Sequence, residues 1–406
     1  MARSLKIIQI NTTVNTGSTG RIAEDIGKLI LVNEHESYIA AGFTDRPSTS
    51  QVIRIGNAWD IKFHGLKTRL FDRHGFGSKN ATIQLVQKIV QISPDIIHLH
   101  NLHGYYLHIG VLFDYLKEIQ KPVIWTFHDC WPFTGHCSHF DRINCYKWQK
   151  GCYSCPLYTA YPGSWWLDQS TANYNDKNEI FNGVKGLSIV TPSVWLSNHV
   201  KNSFLGNYSV KCIHNGVDLN VFLPSAPSKS ILKKYKINTT PFILGVASIW
   251  SFRKGLKDFE DLAQLNDGSF QIVLVGLSKK QIKSLPLGIV GIERTENTQE
   301  LASLYAASNV FVNPTYVDNF PTTNIEALAC GTPVITYNTG GSPEAIDIAT
   351  GIVLEKGDLN GLVKAIMQIC NNGKDYYSAK CRERAVLLFN KDDRYNDYLA
   401  MYKQLL

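Results

Sequence analysis

Residues 315–333 read TYVDNFPTTNIEALACGTP and hold two carboxylates, Asp318 and Glu326, with seven residues between them. The spacing predicts an acid in a loop, then a helix start, then a second acid in the first helical turn. Carboxylates accept hydrogen bonds from hydroxyls. The unpaired N–H groups of a helix start attract anions. Hydroxyl acceptors on either side of an anion site suit a phosphorylated sugar. A plainer role competes for Glu326, because Thr323-x-x-Glu326 has the form of a capping box.

Other residues could join this chemistry. Arg253-Lys254-Gly255 follows the apolar run PFILGVAS and offers two cations at a helix start. The stretch NTGSTGR, residues 15–21, follows the first apolar run, and Gly17 and Gly20 would let backbone approach a diphosphate closely. It fits neither Gly-x-Gly-x-x-Gly nor a Gly-Lys-Ser/Thr phosphate loop. His128 stands in a His-Asp pair beyond the run PVIWTF. Cys137, Cys145, Cys152 and Cys155 are spaced C-x7-C-x6-C-x2-C, a pattern that suits a structural zinc site, with His136 and His139 as alternative ligands. Reduced, buried thiols are the competing expectation. WDIKFHGLKTRLFDRHGFGSKNAT mixes aromatic residues with Lys62, Lys67, Arg69, Arg73 and Lys79, as a membrane-surface segment or a solvated basic helix would.

These residues need elements to hold them. Short β-branched runs (KIIQI, ESYIAA, DIIHLH, PVIWTFH, LSIVTPS) alternate with helical periods such as RIAEDIGKLILV and IQLVQKIVQI. That alternation predicts an α/β fold of parallel sheets with helices on both faces. It restarts at PFILGVAS and continues through FQIVLVG, NVFVNPT and PVITY. The proline-bearing stretch HNGVDLNVFLPSAPSKSILKKYKINTTP between the two series suits a linker and domain entry. The expected domains are 1–215 and 216–390, with a closing helix at about 391–406 that can pack back on the first. Ligands of open α/β sheets bind beyond the carboxyl ends of the strands. The expected site is therefore a cleft between the domains.

The whole chain sets limits. Its 406 residues exceed one ordinary core, and 44% hydrophobic content excludes a disordered chain. A net charge of +7 suits an acidic or phosphate-rich ligand or an anionic membrane surface, without the concentration that nucleic acid binding calls for. Nine cysteines, an odd number, argue against a disulfide framework. No run has the length of a transmembrane helix or the form of a signal peptide. The expected location is the cytoplasm, with any membrane contact peripheral, at the inner face of the plasma membrane.

The run DNFPTTNIEALACGTPVITYNTGGSPE resembles the C-terminal signature of the retaining glycosyltransferases of family 4, which have the GT-B fold. Glu326 stands at the second acid of that signature. Gly331-Thr-Pro-Val334 and Gly340-Gly-Ser-Pro-Glu344 follow as the signature has them. Asp318 takes the place of the usual first Glu. SFRKGLKDF is similar to the family's Lys-Gly segment, with Lys254 as the donor-phosphate lysine, although Ile249 replaces the usual Arg five residues earlier. FHD at 127–129 and IHNGVD at 213–218 match two further motifs.

The resemblance implies two Rossmann-like domains facing across a cleft and a metal-independent, retaining hexosyltransferase. The implied donor is a nucleotide-diphosphate sugar of UDP or GDP type. The implied acceptor is a saccharide, lipid-linked, in capsule or exopolysaccharide assembly. It assigns His128, Asp318 and Glu326 to the reaction, and Arg253, Lys254 and the segment Asn319, Phe320, Pro321, Thr322 and Thr323 to the donor. Arg69, His74, His100 and His103 are the acceptor-side candidates. The cysteine-bearing insertion resembles that of a colanic-acid-type subgroup. Two alternatives stand beside this: a nucleotide-sugar epimerase, and a non-catalytic GT-B protein that binds sugar nucleotide or glycan.

Overall fold

The computed structural model describes residues 3–226, 228–238 and 241–406. Pro227, Thr239 and Thr240 of the expected linker lie outside them. The chain divides into two compact units, 1–213 with 395–406, and 214–394.

The first unit is a seven-stranded sheet. In chain order its strands are β1 (Lys6–Thr13), β2 (Glu36–Phe43), β3 (Gln51–Arg54), β4 (Ile96–Leu99), β5 (Val123–Thr126), β6 (Leu187–Thr191) and β7 (Ser209–Cys212). Their spatial order is β3-β2-β1-β4-β5-β6-β7, and every pairing is parallel. The middle strands β4, β5 and β6 are buried along their whole length. Helices cover both faces of such a sheet, so its central strands read as unbroken apolar runs.

The second unit repeats the plan with six strands: β8 (Phe242–Val246), β9 (Gln271–Val275), β10 (Ile289–Ile292), β11 (Val310–Asn313), β12 (Val334–Tyr337) and β13 (Gly351–Leu354). The order is β10-β9-β8-β11-β12-β13, again all parallel. In both sheets the strand order reverses beside the first strand, between β1 and β4 and between β8 and β11. Loops leaving the sheet there splay apart and leave room for a ligand.

The last helix, Lys391–Leu405, belongs to the first unit from Tyr395 onward. Tyr395, Tyr398, Leu399 and Tyr402 pack with Ile7, Ile96, Ile124 and Val190 beneath the sheet. Two of those tyrosines are also wired to polar groups within it. The Tyr402 hydroxyl lies 2.7 Å from His98 Nδ1, and the Tyr398 hydroxyl 3.3 Å from Thr126 Oγ1.

Candidate active site

In the second unit, β8 runs out into the one-turn helix Phe252–Lys254, and β11 into the loop 314–321. Backbone interlocks these two exits. The Arg253 carbonyl accepts hydrogen bonds from Tyr316 N at 2.8 Å and Thr315 Oγ1 at 3.2 Å. Gly255 closes the turn at φ +72°, where an added Cβ would meet the Pro314 carbonyl at 2.2 Å. Held this way, Lys254 donates from Nζ to Asp318 Oδ2 at 2.5 Å. The pair is half-buried, with side chains 26% and 17% exposed. Arg253, next to it, is exposed, and Ile249 is 77% exposed.

The helix after the loop is Thr322–Ala329, and its N-cap residue is Pro321. No side chain caps it and no acid lies in its first turn. Glu326 is thus the fifth helical residue, and the expected capping box does not form. Thr323 sits two positions past the N-cap, too deep to cap. Instead Glu326 Oε2 accepts a hydrogen bond at 3.1 Å from the hydroxyl of Tyr305. Burial, and then the Glu326 charge, hold the Tyr305 phenol well above its ordinary value, so it stays a donor.

Asn319 and Phe320, both buried, fix the approach to this helix. The Asn319 carbonyl accepts from Gly341 N at 3.1 Å, and the Phe320 ring stacks on His214 at 4.8 Å. Gly340 adopts φ +53°, where a Cβ would sit 1.7 Å from the Asp318 carbonyl, so the Gly-Gly loop can press against the acid's own backbone. Asp258, which the sequence reading did not single out, braces the same region. It accepts from the hydroxyls of Tyr316 at 2.9 Å and Tyr337 at 2.6 Å. Burial raises its carboxyl above the usual range despite those two donors.

In the first unit the candidate residues gather where β1, β4 and β5 end. Gly17 starts the helix Gly17–Val32 at φ +67° with nothing within 4 Å of its Cβ position. Gly20 is close-packed, its Cβ position 2.7 Å from Thr13 Oγ1. His128 lies 3.1 Å from His100 Nδ1 through its Nε2, and His100 Nε2 lies 3.0 Å from Gln9 Oε1. Gln9 Nε2 donates to the Ala23 carbonyl, which fixes its amide. The network therefore assigns His100 its proton on Nε2 and His128 its proton on Nε2, with Nδ1 of His128 the acceptor nitrogen. Burial brings the His128 imidazole down to about 4 and holds His100 well below its ordinary value, so both rings are neutral at pH 7.

A second chain runs beside the first. The Tyr161 hydroxyl is 2.9 Å from His103 Nδ1, and His103 Nε2 is 2.6 Å from Asp129 Oδ2. Burial alone would raise the Asp129 carboxyl, yet the adjacent His103 outweighs it and brings the group down to about 2.

The acceptor-side candidates separate. His74 and His100 are interior, 3% and 1% exposed. His103 is buried as well but tied to Tyr161, which is 47% exposed. Arg69 is exposed on the helix Ala58–Phe71. That helix also exposes Trp59, Phe63, Leu66 and Phe71, and the Arg69 carbonyl accepts from Trp165 N beside the exposed Trp166.

The four clustered cysteines line one cavity of about 20 Å³ with Phe140 and Trp148, and none is in a disulfide. Among the described residues, no three or more His, Cys, Asp or Glu side chains are gathered as they stand into a group that would hold a metal ion. His136, an alternative ligand in the sequence reading, is engaged on both nitrogens, to Asp72 Oδ1 at 2.6 Å and to the Ala160 carbonyl at 3.3 Å.

Two all-parallel sheets, each with its strand order reversing beside its first strand, are the arrangement of the GT-B fold. Comparison with known proteins agrees. Residues 240–372 match the family model Glycosyl transferases group 1. It is 23% identical over 380 residues to a glycosyl transferase assigned to colanic acid biosynthesis in Escherichia coli, covering 89% of this chain and 90% of that protein. It is 23% identical over 311 residues to the N,N'-diacetylbacillosaminyl-diphospho-undecaprenol alpha-1,3-N-acetylgalactosaminyltransferase of Campylobacter jejuni, covering 72% and 81%. Among solved structures, the sucrose-phosphate synthase of Thermosynechococcus elongatus superposes with a TM-score of 0.72 at 18% identity over 98% of each chain. Anabaena HepE in complex with UDP-glucose gives 0.67 at 14% identity over 98% of this chain and all of that one. No helix among the described residues is long and apolar enough to cross a membrane.

Proposed function

We propose that the chain is a retaining, metal-independent hexosyltransferase. It moves a sugar from a nucleotide-diphosphate donor to a lipid-linked saccharide in surface polysaccharide assembly. The observation that carries this reading is the Lys254–Asp318 pair beside the uncapped helix start Thr322–Ala329. The donor diphosphate takes the helix N–H groups and competes with Asp318 for Lys254. Opening a half-buried pair of this kind costs about 1 kcal/mol, which a diphosphate readily offsets. Asp318 then turns to the sugar hydroxyls. Glu326, one oxygen already held by Tyr305, takes the ribose hydroxyls.

In the transfer, the bond from the sugar's anomeric carbon to the β-phosphate oxygen breaks, and a bond to the acceptor oxygen forms on the same face. The acceptor's proton passes to the departing phosphate. Lys254, Arg253 and the helix start hold the charge that grows there, an effect of about 3–4 kcal/mol per well-placed group. His128 acts as a neutral hydrogen-bonding group toward the donor sugar.

A lipid-linked acceptor suits the exposed Trp59, Phe63, Leu66 and Phe71 beside Lys62, Lys67 and Arg69. Aromatic and basic side chains on one helix favour the surface of an anionic membrane. The comparison with an enzyme named for a diphospho-undecaprenol substrate supports the same choice.

The test is thermal stabilisation by UDP, GDP, ADP and TDP, each with and without EDTA, followed by turnover of the matching sugar donors. A ligand held at 100 times its Kd adds about 2.7 kcal/mol. One nucleotide standing out, with EDTA changing nothing, is the expected result. Loss of the shift in EDTA overturns metal independence. No shift from any nucleotide overturns the donor site. The exposed Ile249 in place of an arginine favours a second reading, a binding protein without turnover. Nucleotide binding without transfer would select it.

A further inference from the structure

We infer that Cys137, Cys145, Cys152 and Cys155 bind one structural zinc ion, with Lys177 as its buried counter-charge. The four thiols share one cavity. At about 20 Å³ it has room for a single atom and no small molecule. All four cysteines lie outside helices and strands, on segments punctuated by the one-turn helices Asp141–Ile143 and Lys147–Gln149. Side-chain rotation and small loop shifts can thus bring the sulfurs to ligand distance without unmaking regular structure.

Three surrounding features point to negatively charged sulfur. The Gly135 amide donates to Cys152 Sγ at 3.2 Å, and the Leu157 amide to Cys155. Thiols accept such bonds weakly, and metal-bound thiolates accept them well. The Trp148 indole lines the same cavity, and its buried N–H has no partner among the described residues. Then there is Lys177, 1% exposed. Its ammonium donates to the carbonyls of Trp131 at 2.9 Å and Thr134 at 3.0 Å and sits 3.5 Å over the Trp131 ring. It makes no ion pair among the described residues, and Thr134, whose carbonyl holds it, lines the same cavity as the thiols. A buried ammonium without an anion is costly, and burial brings this amine down to about 7. A Zn²⁺ ion on four thiolates carries a net charge of −2 and balances it. With all four positions taken by protein, such a metal braces the loop and does no chemistry.

The experiment is elemental analysis of the full chain, purified with reductant and without chelator, both as isolated and after reconstitution with Zn²⁺. About one zinc per chain is expected. It should be released by a mercurial that titrates four thiols, and replaced by Co²⁺ with a thiolate-to-cobalt charge-transfer band. Lys177→Met is expected to lose zinc to a competing chelator about 10–100-fold more readily. Cys212→Ser is expected to change nothing. Zinc below about a tenth of an ion per chain in both preparations overturns the site. So does iron with sulfide in its place, or a mass showing disulfides among the four cysteines. If Cys145→Ser or Lys177→Met fails to fold, the metal content of the unaltered chain still decides.

Discussion

Lys254 has two partners in prospect, Asp318 in the free chain and a diphosphate in the working one. Lys254→Ala is expected to lower kcat about 10²–10³-fold, as the loss of one group stabilising a leaving charge does. Lys254→Arg should restore part of it. Equal kcat in wild type and Lys254→Ala, measured with the donor found by thermal shift, would remove the lysine from the reaction. Tyr305→Phe probes the other acid. It deletes the donor to Glu326 and is expected to weaken nucleotide binding by about 0.5–1.5 kcal/mol, read by calorimetric titration. Unchanged affinity would mean that Tyr305 only fills space. The placement of Lys254, Asp318 and His128 beyond strand ends was legible in the sequence, because each follows an apolar run. Tyr305 and Asp258 were not. Their partners are 21 residues away for Tyr305, and 58 and 79 for Asp258, and no local pattern announces a contact at that separation. The Gln9–His100–His128 chain was hidden for the same reason.

At the scale of elements, the loops leaving β8, β11 and β12 are locked by backbone as well as by side chains. Gly340→Ala is the sharp test. A methyl group 1.7 Å from the Asp318 carbonyl must push one loop away, so the variant should lose both stability of the second unit and nucleotide binding. Gly268→Ala is the control: φ is +95° there, but nothing lies within 4 Å. It should cost about 1–2 kcal/mol of backbone strain and leave nucleotide affinity alone. Calorimetry with and without nucleotide separates the two cases. The long apolar strands and amphipathic helices were readable from period and run length. The short strands β3, β7, β10 and β13 were not, since four-residue segments, most only partly buried, carry little apolar signal. The mistaken capping box at Thr323 shows the converse. A correct local motif gave way because Pro321 starts the helix earlier.

At the scale of the molecule, the first unit keeps several neutral histidines inside. Burial brings His64 and His98 down to about 3 and His128 to about 4, and holds His74 and His100 well below their ordinary value. An unfolded histidine takes up a proton near pH 6.5, whereas these do not until pH 4 or lower. Stability is therefore fully present above about pH 6.5. It falls as pH drops toward 4, by about 1.4 kcal/mol per pH unit for each such histidine. Urea midpoints between pH 7.5 and 5 check this, and a flat profile would contradict the buried network. Vesicles test the molecule's surface. Trp59→Ala with Phe63→Ala should reduce binding to anionic liposomes without changing nucleotide affinity, and equal binding would dismiss this helix as the membrane contact.

The final helix returns to the first unit only after the second has been threaded between. Its Tyr398 and Tyr402 supply hydroxyls to Thr126 and His98 in the centre of the first sheet. On the ribosome, that sheet is finished at residue 213 but must wait for residues 395–406, some 181 positions later. At about 5–20 residues per second the delay is about 10–40 s. During that time the second unit can close first, while His98 Nδ1 lacks its tyrosine partner and the face beneath β4 and β5 stands uncovered. The molecule's maturation is therefore inverted: the half made first is completed last. A chain ending at Arg394 should yield a well-formed second unit attached to a first unit that proteases cut readily.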